Sequence, residues 1–96
     1  MRLLPIKIFR VAERSMEPSI DEGSYILVNC WYGKLSAGDI IVFRRSKDGR
    51  ILVKRIKEIQ SGKIFAVGDN KARSIDSRRF GAFNSSLIIG KLICTI

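Results

Sequence analysis

Short apolar runs rich in β-branched residues recur along the chain, and turn-forming residues bound each of them. Runs of this length and composition are typical of β-strands rather than of helices. The pattern predicts strands at Ile6–Val11, Tyr25–Asn29, Ile40–Arg44, Ile51–Ile59, Lys63–Val67 and Leu87–Ile93.

The sequences between these runs indicate how the strands connect. Residues 47–49 (Lys-Asp-Gly) and 61–62 (Ser-Gly) suit tight turns that would join three consecutive strands as hairpins. One helical turn is predicted at residues 16–20, with Ser15 near its N-cap. Because no repeat or linker divides the sequence, we predict a mainly β fold, a single compact coiled β domain over residues 1–96.

One connection is much longer than the others. Residues 68–86 read GDNKARSIDSRRFGAFNSS, a polar and turn-rich segment between two predicted strands. Loops of this length inside a compact domain are usually either functional or disordered. The mixture of Asp, Asn, Ser, Arg and Phe favours a functional loop.

Charge adds a constraint on partners. The chain has 18 Lys and Arg against 9 Asp and Glu, a formal net charge of +9. Such a surplus attracts nucleic acid, an anionic membrane surface or an acidic protein, although it also fits a surface that only maintains solubility. No apolar run approaches the ~18 residues of a membrane-spanning helix. Pro5, Lys7 and Arg10 interrupt the apolar N-terminus, so we expect a chain that is soluble or peripheral at a membrane.

The absence of histidine narrows the possible chemistry. It excludes Ser/His and Cys/His triads and most zinc sites, so a nucleophile in this chain needs another base. Cys30 and Cys94 lack metal-site spacing, and we predict two buried free thiols. Whether they form a disulfide is left open by the sequence.

Lys54 is the candidate base. Strand alternation places it on one face with Leu52 and Ile56, whereas Arg55 and Lys57 point to the other face. A lysine among apolar neighbours loses hydration, which lowers its pKa and lets it accept a proton near neutral pH. The alternative is an edge-strand lysine that reaches water, and the residues alone favour that alternative.

Ser15 is the candidate nucleophile. It follows a predicted strand and enters a tight segment that Pro18 restricts. Such a position exposes a side chain and frees nearby backbone N–H groups for an oxyanion. Taken alone, however, a serine before a short helix is most often a helix cap.

Four sequence segments, taken in order, favour the catalytic interpretation of Ser15 and Lys54 over the structural one. They are Ser-Met-Glu-Pro at 15–18, Gly-Asp-Ile-Ile-Val-Phe at 38–43, Val-Lys-Arg-Ile at 53–56, and Gly-Asp-Asn at 68–70 followed by Ser-Ile-Asp-Ser-Arg at 74–78. Together they resemble the successive signature segments of the type I signal peptidases, and they span most of the chain. The resemblance implies a coiled β fold with an extended substrate groove.

The same resemblance implies roles for individual residues. Ser15 matches the nucleophile and Lys54 the general base of a Ser/Lys dyad. Ser74 matches a serine that orients this lysine, and Asp76 with Arg78 matches a structural ion pair. The matches to turns beside the site are Met16, Pro18, Gly68, Asp69 and Asn70. The implied enzyme is a serine endopeptidase that needs no metal and no cofactor, and its substrate is a precursor polypeptide bound in extended form.

Two departures from the family pattern limit the resemblance. Many signal peptidases have a hydroxyl residue where this chain has Glu13, and a carboxylate there would repel an oxyanion unless it faces outward. Family members also have a membrane anchor and often a large insertion, which this sequence lacks, so we expect a minimal catalytic core. An anionic membrane surface or a membrane-anchored protein would then be a further partner.

Several other functions remain open. The minimal form is similar to soluble family members proposed to trim nickel superoxide dismutase precursors, and self-cleaving SOS-type repressors share the Ser/Lys core. A catalytically inactive relative could keep the fold as a binding unit. A nucleic-acid-binding module ranks below the peptidase because the aromatic residues show no RNA-binding pattern. Its phosphate contacts would be Arg44, Arg45, Lys47, Arg50, Arg73, Arg78 and Arg79.

Overall fold

A computed structural model describes residues 5–96 as one curled antiparallel sheet. The first four residues of the predicted domain, and with them the start of the apolar N-terminus, lie outside the described residues. The seven strands are β1 (Ile6–Arg10), β2 (Tyr25–Asn29), β3 (Ile40–Arg44), β4 (Ile51–Gln60), β5 (Lys63–Val67), β6 (Phe83–Asn84) and β7 (Ile88–Thr95). They hydrogen-bond in the order β1-β2-β7-β3-β4-β5-β6, so the mainly β prediction is confirmed.

The two predicted hairpins join β3 to β4 and β4 to β5, in antiparallel register. At the second turn Ser61 and Gly62 both have positive φ, 50° and 77°, as a two-residue hairpin turn requires. β6 was not predicted, because two residues are too few to show alternation.

The sheet curls enough to bury both faces of β3. Ile41 and Phe43 pack into one apolar cluster with β4, β5 and Phe83. Val42 points the other way, into a second cluster with β2 and Met16. A strand buried on both faces reads as a continuous apolar run, which is how Ile-Ile-Val-Phe appears in the sequence.

The helical turn predicted at residues 16–20 is present as one turn only. A single helix-type bond runs from the Ile20 N–H to the Met16 carbonyl at 2.9 Å, and the surrounding residues form other turns. Pro18 is consistent with the absence of a longer helix, because proline disfavours helical geometry in the residue before it. Met16 itself is fully buried in the second cluster, while Pro18 is exposed.

The long connection is ordered and has short elements of its own. It contains a 3-10 turn at Lys71–Arg73, a one-turn helix α1 (Ser77–Phe80), strand β6 and a second 3-10 turn at Ser85–Leu87. Asp76 caps α1, and its side chain accepts a hydrogen bond from the Arg78 N–H at 3.1 Å. The segment therefore folds as a compact flap against β5.

The cysteine prediction is half right. Both thiols are free, but Cys30 is only partly buried and Cys94 is exposed. Cys94 lies opposite Leu27, on the face of β2 that is turned away from the buried Ile26 and Val28. Within residues 5–96, no helix is long and apolar enough to cross a membrane.

Candidate active site

Ser15 lies in the turns that follow β1, and only 4% of its surface is exposed. Its backbone is fixed from the long connection: the Asn70 N–H donates to the Ser15 carbonyl at 2.8 Å. The Asn70 side chain also donates to the Arg14 carbonyl at 3.3 Å. Segment 68–70 therefore holds the serine turn in place.

Lys54 lies on β4, in the interior of the sheet, with β3 on one side and β5 on the other. Its exposed fraction is 0%, and its Nζ has no hydrogen-bond partner among the described residues. The alternative of an edge-strand lysine that reaches water is thus wrong. Alternation on β4 placed Leu52, Lys54 and Ile56 on the buried face, as the structure shows.

Burial lowers the pKa of Lys54, because the ammonium form loses its hydration. The carboxylates of Glu13 and Asp76 oppose this shift, and the guanidinium groups of Arg45 and Arg50 add to it. The net pKa lies below the ordinary lysine value of 10.5. Deprotonation is therefore easier at Lys54 than at an exposed lysine.

Gly68 links the two candidate catalytic segments. Arg55 pairs with Val67 between β4 and β5, so the next position in register sets Lys54 opposite Gly68. A Cβ placed on Gly68 would lie 2.7 Å from the Ser15 carbonyl oxygen and 2.2 Å from Ser74 Oγ. Only glycine allows the chain to pass this closely between the serine turn and the loop.

The buried Asp76 carboxylate organises the loop beside Lys54. It accepts hydrogen bonds from the Gly68 N–H at 2.8 Å, from Ser74 Oγ, and from Arg78 Nε at 2.9 Å. Burial would raise the pKa of Asp76, but these hydrogen bonds outweigh it, so its pKa lies below the usual range. Asp76 is therefore a permanent negative charge near the lysine at neutral pH.

The expected hydrogen bond between Ser74 and Lys54 is absent. Ser74 has a single hydroxyl proton, and it donates that proton to Asp76. A carboxylate is a stronger acceptor than a neutral amine, so the proton goes to Asp76. The Ser74 oxygen can still accept a hydrogen bond from the Lys54 amine, but among the described residues none is formed. Ser74 therefore fixes Asp76 in this structure, and Lys54 Nζ is left without a partner.

A cleft of about 260 Å³ opens beside Ser15. The end of β1 with the following residues forms one wall, and the start of β4 forms the other. The carboxylate of Glu13 forms an ion pair with Arg50 of the opposite wall. Met16 and Pro18, which match residues of the turn beside the substrate cleft, lie in the turns around Ser15 and do not line the cleft itself.

A comparison with protein families gives a match over nearly the whole chain. The model of the Peptidase S24-like family matches residues 5–93. The chain belongs to the Peptidase S24-like family. No curated protein matches the sequence.

Membership of the Peptidase S24-like family supports two of the predictions from sequence, the peptidase class and the β fold. It gives a peptidase family and is consistent with the curled β fold seen in the structure. The match to the Peptidase S24-like family does not confirm the resemblance of the ordered segments to type I signal peptidases.

This Peptidase S24-like domain contains an ionic clamp, formed by Arg55, Asp69 and Ser19, that was not predicted from the sequence. Arg55 donates to both oxygens of Asp69, each at 2.9 Å, and Ser19 Oγ donates to Asp69 at 2.6 Å. The clamp ties β4 to the turn after Ser15 and holds down segment 68–70. Strand alternation places Arg55 on the face of β4 opposite to Lys54. The carboxylate of Asp69, in the segment predicted to lie beside the site, was therefore the signal that could have revealed this ion pair.

Proposed function

We propose that this protein is a serine endopeptidase in which Ser15 is the nucleophile and Lys54 the general base. One observation carries the proposal: a fully buried lysine amine, without a hydrogen-bond partner among the described residues, adjoins the loop that holds the Ser15 backbone. Burying an unpaired amine is costly, and a structural role offers nothing in return. A proton acceptor requires such an environment.

The chemistry follows from the neutral form of Lys54. The neutral amine of Lys54 takes the proton of the Ser15 hydroxyl as the serine oxygen attacks the scissile carbonyl. The Lys54 ammonium gives this proton to the nitrogen of the scissile bond as that bond breaks, which leaves an acyl-enzyme. Lys54, neutral again, removes a proton from the water that attacks the acyl group and passes it to the Ser15 oxygen as the acid product leaves. Catalytic hydrogen bonds are often long in free enzymes and shorten when substrate binds.

The Ser15 backbone N–H is the proposed oxyanion donor. Within residues 5–96 this N–H donates to no other group, although the neighbouring Glu17 N–H is used in a turn. A free N–H next to the nucleophile can stabilise the negative oxygen of the tetrahedral intermediate. Glu13 does not offer a donor there, since its carboxylate is paired with Arg50.

The proposed substrate is an N-terminal leader or signal segment of a precursor protein, bound in extended form. Its support is the resemblance of the ordered segments to type I signal peptidases. The cleft beside Ser15 has a volume of about 260 Å³ and lies next to the proposed nucleophile, so side chains of an extended segment can enter it. From the resemblance to type I signal peptidases, and not from the volume of the cleft, we expect small residues at the first and third positions before the cut.

The direct test compares Ser15→Ala with the unchanged protein on such a peptide. We expect Ser15→Ala to lose turnover completely, and Ser36→Ala, which removes an exposed hydroxyl outside the cleft, to retain it. Turnover by Ser15→Ala at the normal rate would contradict the assignment of the nucleophile. If the unchanged chain cuts only itself and never the added peptide, the function is self-cleavage instead.

The pH dependence of cleavage tests Lys54 as the base. Only the neutral amine accepts a proton, so kcat/KM should rise with pH through the lowered pKa of Lys54. Glu13 raises this pKa and Arg50 lowers it. We therefore expect Glu13→Gln to move the rise to lower pH and Arg50→Gln to move it to higher pH. Shifts in the same direction, or a flat profile, would contradict the role of Lys54.

A further inference from the structure

The largest cavity described for this protein lies away from Ser15. It has a volume of about 940 Å³, near the upper end of the range for ligand pockets, and lies between the end of β3 with its hairpin and segment 75–87. Its apolar part includes Phe43 and Phe83, which stack with their ring centres 4.2 Å apart. The partly buried Phe80 and Leu87 extend this apolar surface.

The rim of the cavity is strongly cationic. Its lining contains Lys and Arg side chains but no Asp or Glu: Arg44, Arg45, Lys47, Lys63 and Arg79. Arg45 is held by Asp48 and lies over the Phe80 ring, 5.9 Å from its centre. Among the described residues, the other four have no carboxylate within 4.0 Å. Four uncompensated cations around an apolar floor attract a ligand that is both anionic and apolar.

The cavity and the cleft beside Ser15 both adjoin one further depression. A depression of about 340 Å³ lies between them. It shares Ala12, Glu13, Arg50 and Leu52 with the cleft. It shares Arg45 and Ile75 with the cavity, and Ile75 is 56% exposed at the junction. A single extended chain can therefore occupy the cleft and the cavity together.

We propose that the cavity is an exosite for an acidic, apolar segment of the same polypeptide that is cut at Ser15. The carboxylates of this segment pair with Arg44, Lys47, Lys63 and Arg79, and its apolar side chains cover the Phe43–Phe83 floor. A concave site linked to the cleft by an adjoining depression fits a polypeptide better than a flat membrane surface. The inference rests on the proposed peptidase function, because it assigns the second site to the same substrate.

Binding to the full chain carrying Ser15→Ala tests the exosite without turnover. The probes are labelled peptides with a cleavage site and, on one side or the other, leucines flanked by glutamates. Matched peptides carry glutamine in place of glutamate. We expect the glutamate peptide of one pair to bind about tenfold more tightly, because several exposed ion pairs form at once. The preference should fall as salt is added.

Charge reversal at the rim locates the interaction. Lys63→Glu with Arg79→Glu should abolish the preference for glutamate, and Lys47→Glu should reduce it. Lys34→Glu, which changes the same charge at an exposed position outside the cavity, should leave it intact. Equal binding of both peptides, or a preference that survives the double reversal, overturns the proposal. So does a result in which anionic vesicles or oligonucleotides bind through these residues and the peptides do not.

The dyad is tested separately in the same experiment. The protein with Ser15 intact should cut the glutamine peptide with ordinary kcat and a raised KM. If it does so and the glutamate preference is absent, only the exosite fails. If neither peptide is cut but the preference and its loss on charge reversal are seen, only the peptidase assignment fails.

Discussion

Replacing Lys54 by methionine should abolish cleavage while making the folded protein more stable. Loss of the general base is expected to lower kcat by about 10²–10⁴-fold. Methionine has nearly the same shape as lysine without the amine, so it fills the space between β3 and β5. Because Lys54 Nζ is buried without a partner among the described residues, its removal should raise the free energy of unfolding by about 1–3 kcal/mol.

The gain in the free energy of unfolding of Lys54→Met should increase as the pH is lowered. The pKa of Lys54 is lowered in the folded state, so the unfolded chain binds this proton more tightly than the folded protein. Stability of the unchanged protein should therefore fall as pH falls from the ordinary lysine value of 10.5 through the lowered value. Lys54→Met lacks this loss, and its advantage should be greatest below the lowered pKa.

The measurements are turnover of a cleavable peptide and urea unfolding at several pH values. Lys57→Met is the matched control, because Lys57 lies on the same strand but is exposed. It should change neither activity nor stability appreciably. A Lys54→Met protein that cuts normally would exclude Lys54 as the base, and a large loss of stability would mean that the amine has a structural partner.

Gly68→Ala should have the largest effect on stability of any single methyl addition near the site. Its new Cβ would lie 2.2 Å from Ser74 Oγ, 2.5 Å from Ser74 Cβ and 2.7 Å from the Ser15 carbonyl oxygen. A backbone atom cannot rotate away, so the loop must move from the serine turn. We expect a loss of about 1–3 kcal/mol in the free energy of unfolding, with activity lost as well.

Two variants separate this steric cause from the general cost of replacing glycine. Gly33 has a φ of 62° and open space around its Cβ position, so Gly33→Ala should show only backbone strain and keep activity. Adding Ser74→Gly to Gly68→Ala removes two of the three short contacts and should restore part of the stability. Equal losses in Gly68→Ala and Gly33→Ala would show that the close approach is unimportant.

Most of the sheet could be predicted because its signals are local. The β-branched runs and the glycine turns specify β2, β3 and β5 to the residue. Alternation placed Lys54 on the apolar face of β4, although the residues alone favoured a lysine that reaches water, and the structure buries it. The short elements have local causes too. Pro18 helps to keep residues 16–20 to a single helical turn. β6 is two residues long, below the length at which a pattern exists.

The site was less accessible from sequence because its contacts are distant along the chain. Glu13 and Arg50 are 37 positions apart, and Ser19 and Asp69 are 50 apart. Each could have paired with several other charged or polar groups. The partner of the Ser74 hydroxyl depends on which acceptor the folded loop brings closest, and it proved to be Asp76. Which of these groups pair with one another is determined by the folded arrangement of distant segments, and this arrangement cannot be read from local sequence.

The central position of β7 ties the completion of the enzyme to the order of synthesis. β7 is made last of the seven strands, yet it lies between β2 and β3. It joins β1 and β2, whose connection contains Ser15, to the half of the sheet that contains Lys54. A growing chain forms its N-terminal hairpins first, while the two halves still lack the strand between them. We expect chains shortened before β7 to be inactive, because the two halves of the sheet come together only when residues 88–95 dock.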